Sequence, residues 1–69
     1  MRYYTAKVVT KEESEIRDLR GHDAYSAALE RFHGDIADAI TNDADSCIML
    51  LYDSDGMLLK QEIYKKSEV

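Results

Sequence analysis

The sequence predicts an α+β domain in which one helix packs on one face of a three-stranded mixed sheet, in the order β-α-β-β. Three observations support this prediction. Apolar residues recur at three- and four-residue steps between Tyr25 and Ile40, as on one side of a helix. Residues 47–52 are apolar at odd and even positions, which is typical of a strand with apolar surface on both faces. An Asp-Ser-Asp-Gly turn at residues 53–56 follows this run and indicates a hairpin.

Residues 2–10 predict the first strand, because aromatic and β-branched side chains are frequent there. The next segment, residues 11–22, is highly charged and predicts a loop with one helical turn. A short additional edge strand at residues 15–19 is the competing interpretation.

The helix is predicted to begin at Ala24, with the carboxylate of Asp23 accepting hydrogen bonds from the first turn. Its apolar spacing continues to Ile40, so the helix should end near Thr41 or Asn42. Gly34 lies inside it and costs about 1 kcal/mol relative to alanine. It either weakens the helix or marks a close approach of another backbone.

Residues 46–52 and 57–64 are predicted to form the hairpin. The first of these strands is expected at the centre of the sheet because it is apolar on both sides. The other is expected at an edge, because polar and charged side chains interrupt it at residues 60–62. A crossover through the helix would make the first and second strands parallel. Residues 65–69 are predicted to be a frayed tail.

Sixty-nine residues form one domain, residues 1–69. A chain of this size buries only about 60% of its unfolded surface. One helix can cover only one face of the sheet, so the other face should be covered by a second copy or by a host protein. The sheet residues predicted to form this interface are Tyr3, Cys47, Met49, Leu51 and Tyr64.

The formal net charge is −5, which argues against direct contact with nucleic acid, because phosphate backbones attract clustered Lys and Arg. A negative surface can instead dock on a basic partner. The acidic residues predicted to form such a binding face are Glu30, Asp35, Asp38, Asp43 and Asp45.

Cys47 is the single cysteine, so an intrachain disulfide and a cysteine-rich zinc site are excluded. Its apolar neighbours predict a buried structural thiol in a reducing compartment. No apolar stretch approaches 18 residues, and the first residues lack a secretion-type hydrophobic segment. We therefore expect a cytoplasmic protein with no membrane partner.

Two patterns resemble metal sites but are better explained without a metal. Glu30 and His33 have the Glu-x-x-His spacing of ferritin-like sites, which need further carboxylates from other helices. The turn at residues 53–56 resembles part of a calcium loop, but Leu51 stands where the first acidic ligand should be. The sequence also lacks phosphate-binding loops and serine elbows. We expect no metal, no cofactor and no enzymatic activity.

The stretch from Ala28 to Tyr64 resembles short hypothetical proteins common in phages and mobile elements of Gram-positive bacteria. The resemblance lies in the helix segment at residues 29–33, Leu-Glu-Arg-Phe-His, and in the hairpin at residues 52–60. The charged segment 11–22 departs from that pattern. The resemblance implies a mobile-element accessory protein and supplies no catalytic residues.

The leading hypothesis is a non-enzymatic binding protein of phage or mobile-element type, which inhibits a host defence system such as a CRISPR nuclease by protein–protein interaction. The alternative is a homo-oligomer that holds a small ligand, such as a nucleotide signal, between subunits. The five tyrosines either line such a pocket or surround the small core.

Overall fold

The structure, a computed structural model, describes residues 2–66. These residues form four strands and one helix in the order β-β-α-β-β. The elements are β1 (Tyr3–Lys11), β2 (Ser14–His22), α1 (Tyr25–Thr41), β3 (Ser46–Asp53) and β4 (Leu58–Lys65).

The predicted α+β class is confirmed, but the predicted three-stranded mixed sheet in the order β-α-β-β is wrong. The sheet has four strands in the order β2-β1-β3-β4, and every neighbouring pair is antiparallel. The error comes from residues 11–22, where the competing interpretation, an edge strand, is the observed one. Because β2 returns the chain to the end where β1 began, α1 and β3 each reverse direction again. β3 therefore runs antiparallel to β1.

The β1–β2 hairpin lacks the usual sequence signals of a tight turn. Its two loop residues, Glu12 and Glu13, have φ of 51° and 70°, a conformation that normally favours Asn and Gly. The backbone N–H of Glu12 donates to the Asp45 carboxylate at 3.0 Å. A contact from the distant α1–β3 connection thus supports this turn, and local sequence analysis cannot detect it.

The helix matches its predicted end but not its predicted cap. Within the described chain no side chain caps the N-terminus of α1, where Ala24 occupies the cap position. The Asp23 carboxylate instead pairs with Arg2. At the other end, Asp43 has φ 62°, and the N–H of Ala44 donates to the carbonyl of Ala39 at 2.9 Å. This is a Schellman-type ending with Asp in the left-handed position.

The β3–β4 hairpin and the positions of both strands are confirmed. β3 is an interior strand and β4 an edge strand. Gly56 has φ +85°, as the turn requires. The Asp53 carboxylate accepts from the N–H groups of Asp55 at 2.9 Å and Met57 at 3.0 Å. These hydrogen bonds stabilise the turn, which is why the Asp-Ser-Asp-Gly sequence predicts it correctly.

The core lies between α1 and one face of the sheet. We call this the helix-covered face. Its buried members from the strands are Thr5, Cys47, Met49 and Leu51. The buried members from α1 and its C-terminal connection are Ala28, Phe32, Asp35, Ala39 and Ala44.

The end of β4 is more ordered than the predicted tail. Lys66 donates its backbone N–H to the carbonyl of Asp45 at 3.0 Å, and its Nζ lies 2.9 Å from Asp43 Oδ2. The rest of the predicted tail, residues 67–69, lies outside the described residues. Within residues 2–66, the helix is neither long nor apolar enough to cross a membrane.

Candidate functional site

The sheet face opposite α1 is the strongest candidate for a functional surface. We call it the open face. Pairing registers place nine apolar side chains on it, and every strand contributes. They are Tyr4, Ala6, Val8, Leu19, Ile48, Leu50, Tyr52, Leu58 and Ile63.

These side chains are exposed to different extents. Leu19 is 67% exposed, Ile63 56% and Leu58 46%, and they lie on the two edge strands. Ile48 and Leu50, on the interior strand β3, are half-buried. Since α1 covers the other face, this shielding comes from neighbours within the sheet. A contiguous apolar surface of this kind is a recurrent mark of interaction sites.

Charge on the open face is concentrated at one end. Among the residues of the four strands, its charged positions are Glu15, Arg17 and Lys65, whereas the guanidinium of Arg2, which precedes β1, lies at the other end beside Gly21. Glu15, Thr10, Ser46 and Lys65 form one row across the four strands. The other end is aromatic, where Tyr4 and Tyr52 are direct cross-strand neighbours.

A shallow depression of about 380 Å³ lies at the aromatic end, lined by Tyr4, Leu19, Tyr52 and the turn that follows β3. The Arg2 guanidinium stands 5.9 Å from the centre of the Tyr4 ring. It occupies the space beside Gly21, where a Cβ would force the guanidinium to shift. Gly21 therefore gives room to an arginine that stacks on the Tyr4 ring.

The five residues predicted to form the sheet interface lie on the helix-covered face. Cys47, Met49 and Leu51 are fully buried there, and Tyr3 and Tyr64 pack against the same core. Cys47, Met49 and Leu51 are therefore inaccessible to a partner in this fold, whereas Tyr3 and Tyr64 are half-buried. The intervening residues of the same strands form the other, more exposed sheet face. The alternation showed that two faces exist, but only packing decides which one α1 covers.

Cys47 lies in the apolar layer under α1. Burial raises the pKa of its thiol, the nearby Asp35 carboxylate raises it further, and Lys7 opposes this effect. A thiol that resists ionisation is a poor nucleophile. This arrangement agrees with the predicted structural thiol.

A chain of alternating charges lies between α1 and the β1–β2 hairpin. Arg31 Nε is 3.2 Å from Asp35 Oδ2, and Lys7 Nζ is 4.0 Å from Asp35 Oδ1. Arg31 also reaches Asp18 at 3.9 Å, and Arg20 lies 2.8 Å from the same carboxylate. The hydrogen bond from Arg20 is the main reason that the pKa of Asp18 is lowered. The network attaches α1 to the sheet.

The structure does not bring the five predicted acidic residues together. Asp35 is buried and paired with Arg31 and Lys7. Asp43 and Asp45 lie in the α1–β3 connection, where they contact Lys66 and Glu12. Glu30 and Asp38 are exposed and border a groove of about 350 Å³ between α1 and β2. Asp35 also lines this groove, so Glu30, Asp35 and Asp38 lie on one side of α1, whereas Asp43 and Asp45 lie beyond its end.

The two histidines, His22 and His33, lie in different surroundings. His22 borders the same groove, and its Nε2 is 3.0 Å from the hydroxyl of Thr5. His33 is exposed on α1 and packs edge-on against Phe32, with ring centres 5.6 Å apart. Residues 2–66 contain no group of three or more His, Cys, Asp or Glu side chains arranged to hold a metal ion.

No family model matches the chain, and comparisons with curated proteins and with solved structures find no significant match. The functional assignment must therefore rest on the geometry of the surfaces described above.

Proposed function

We propose that this chain is a non-enzymatic binding protein that acts through the open face of its sheet. The observation that carries the proposal is the apolar surface that extends across all four strands on the side opposite α1. Placing this surface against a partner would remove apolar area from water at roughly 25 cal/mol per Å². Among the apolar residues of the open face, Leu19 and Ile63 are the most exposed, so they have the most area to bury.

Site-specific photo-crosslinking in bacterial cells tests the proposal. Ile48, at the middle of the open face, is replaced by p-benzoylphenylalanine. The matched control carries the same group at Ala37, an exposed position on α1. We expect a discrete covalent protein adduct from position 48 and none from position 37. Equal labelling from both positions, or from neither, would contradict the proposal.

A more specific role, inhibition of a basic nuclease of a host defence system, is a second proposal. The observation that favours it is the exposure of Glu30 and Asp38 on one side of α1. These side chains are two turns apart and could meet a basic channel by charge complementarity.

The double charge reversal Glu30→Lys and Asp38→Lys should abolish inhibition of a CRISPR nuclease and remove the salt dependence of binding. The double reversal Glu13→Lys and Asp55→Lys is the control, because it changes net charge equally in the hairpin turns. If both double variants inhibit as well as the parent chain, the acidic side of α1 is not the contact.

A third proposal, a small ligand held between two copies, is favoured by the Tyr4–Tyr52 depression. Tyrosine pairs bind flat rings by stacking. Native mass spectrometry after incubation with bacterial extract should then show retained small-molecule mass. Tyr4→Ala should lose that mass, whereas Tyr25→Ala, which alters a tyrosine on α1 that packs edge-on against Tyr3, should keep it.

A further inference from the structure

The open face is complementary to itself, and we propose that its occupant is a second copy of this chain. The inference rests on the proposed function, because it names the partner of the same surface. In the proposed dimer the two sheets lie face to face, with a twofold axis parallel to the strands and centred between β1 and β3. β1 of one copy then lies over β3 of the other, and β2 over β4.

Side-chain size is the first argument for this axis. Within one chain Ala6 pairs with Leu50, and Val8 pairs with Ile48. The twofold axis sets each of these residues opposite the same partner in the second copy. Ala6, the smallest side chain in the centre of the face, then meets Leu50 of the second copy, and interdigitation of small with large is how sheet layers pack.

Charge is the second argument. Glu15 and Lys65 are at opposite ends of one row of the open face, about 14 Å apart across three strand spacings. The same axis reverses this row, so that Glu15 of each copy lies opposite Lys65 of the other.

The area of the face is sufficient for a specific but modest dimer. Four strands at about 4.8 Å spacing and about eight residues in length give a face of roughly 19 by 26 Å. Two copies would bury about 1,000 Å² in total, which reaches the lower limit of about 1,000 Å² for specific interfaces.

The net charge of −5 does not oppose this arrangement strongly. Facing sheets lie about 10 Å apart, and α1 of each copy forms an outer layer about 10 Å thick. Acidic groups on the two helices, such as Glu30 and Asp38, are therefore separated by more than two Debye lengths of about 8 Å.

Thiol crosslinking between separately labelled chains tests the proposed axis. Facing sheets about 10 Å apart are too distant for a direct disulfide. Ala6→Cys in unlabelled protein is therefore mixed with Leu50→Cys in ¹⁵N-labelled protein, treated with a short bis-methanethiosulfonate linker and weighed by intact mass spectrometry. We expect the mixed dimer to exceed the two like-with-like dimers together, since Ala6 and Leu50 are the facing pair. The parent chain, with its buried Cys47, is the control and should stay uncrosslinked.

Charge reversal at the ends of the row gives an independent readout that does not alter the apolar centre. Glu15→Lys or Lys65→Glu alone should raise the dimer dissociation constant about threefold to tenfold, measured by sedimentation equilibrium. The double variant should return to within about twofold of the parent. Because the two positions are distant in one chain, this recovery reports a contact between copies.

The outcomes separate this inference from the proposed function. A mixed dimer together with recovery in the double variant supports the second copy. A chain that sediments as a monomer at millimolar concentration, while crosslinking at Ile48 captures a different protein, overturns the dimer and leaves the binding function standing. A monomer without any adduct at Ile48 overturns both.

Discussion

Gly34 lowers the stability of α1, and no packing contact explains why glycine is present there. Apart from its chain neighbours and the backbone of its own helix, a Cβ built there meets no atom of residues 2–66 within 4 Å, so a close approach by another backbone does not explain this glycine. Its cost is the conformational freedom that glycine loses when it folds into a helix.

Gly34→Ala should therefore raise the free energy of unfolding by about 0.5–1 kcal/mol, measured by urea denaturation. Gly56→Ala is the opposite case, because φ at Gly56 is +85°, and it should lower stability. If Gly34→Ala instead lowers the free energy of unfolding, the prediction is wrong, and the groove beside α1 needs the space that the absent side chain leaves.

Cys47 reports on opening of the core, because its thiol is buried and its pKa is raised. At pH 8 the native chain should react with a thiol reagent at least about 100-fold more slowly than the unfolded chain. This factor corresponds to an opening free energy of about 3 kcal/mol, near the low end for a domain of this size. Ser54→Cys, in the exposed turn, should show a second, fast-reacting thiol. Equal rates for both thiols would contradict the burial of β3 under α1.

At the scale of elements, the end of β4 is held to the α1–β3 connection by Lys66 and Asp43. The hydrogen bond from Lys66 lowers the pKa of Asp43 below its ordinary 3.8 and raises the pKa of Lys66 above its ordinary 10.5. The lowered carboxyl pKa makes a stabilising contribution that is present above about pH 4 and disappears as pH falls through the folded pKa. The raised amine pKa makes one that is lost only above about pH 10.5.

Asp43→Asn should consequently reduce the difference in unfolding midpoint between pH 7 and pH 2.5. The change should be small, because exposed ion pairs contribute little and are screened by salt. Asp55→Asn, in the other turn, is the matched control. A larger pH dependence in Asp43→Asn than in the parent chain would contradict the stabilising contribution assigned to the ionised Asp43 carboxylate.

β2 shows why a strand can escape detection in a sequence. Its amino-acid sequence lacks the apolar alternation that marks a strand, and its side chains are mostly exposed. Arg17 pairs with Glu15, and Arg20 with Asp18, two residues apart on the same side of the strand. Such charged side chains are typical of an edge strand and discourage pairing with other chains. Hydrogen bonds to β1 stabilise β2.

At the scale of the whole molecule, the proposed dimer links stability to concentration. If two copies share the open face, each tenfold rise in protein concentration should raise the melting temperature by a few degrees. Leu50→Lys should abolish this dependence without loss of the helical circular dichroism signal. Ala37→Lys, on the outer side of α1, should retain it. A melting temperature that is independent of concentration in the parent chain would count against the dimer.

The sequence alone determined the α+β class, the end of α1, the β3–β4 hairpin, and the interior and edge positions of those strands. These features depend on local periodicity and on turn chemistry, such as the side-chain bonds of Asp53. The tertiary structure alone decided that β2 forms, that the sheet is antiparallel, that Asp23 pairs with Arg2, and which sheet face remains open. Each of these depends on contacts between residues far apart in the chain, and a strand with apolar residues on both sides carries no local record of which side a helix will cover.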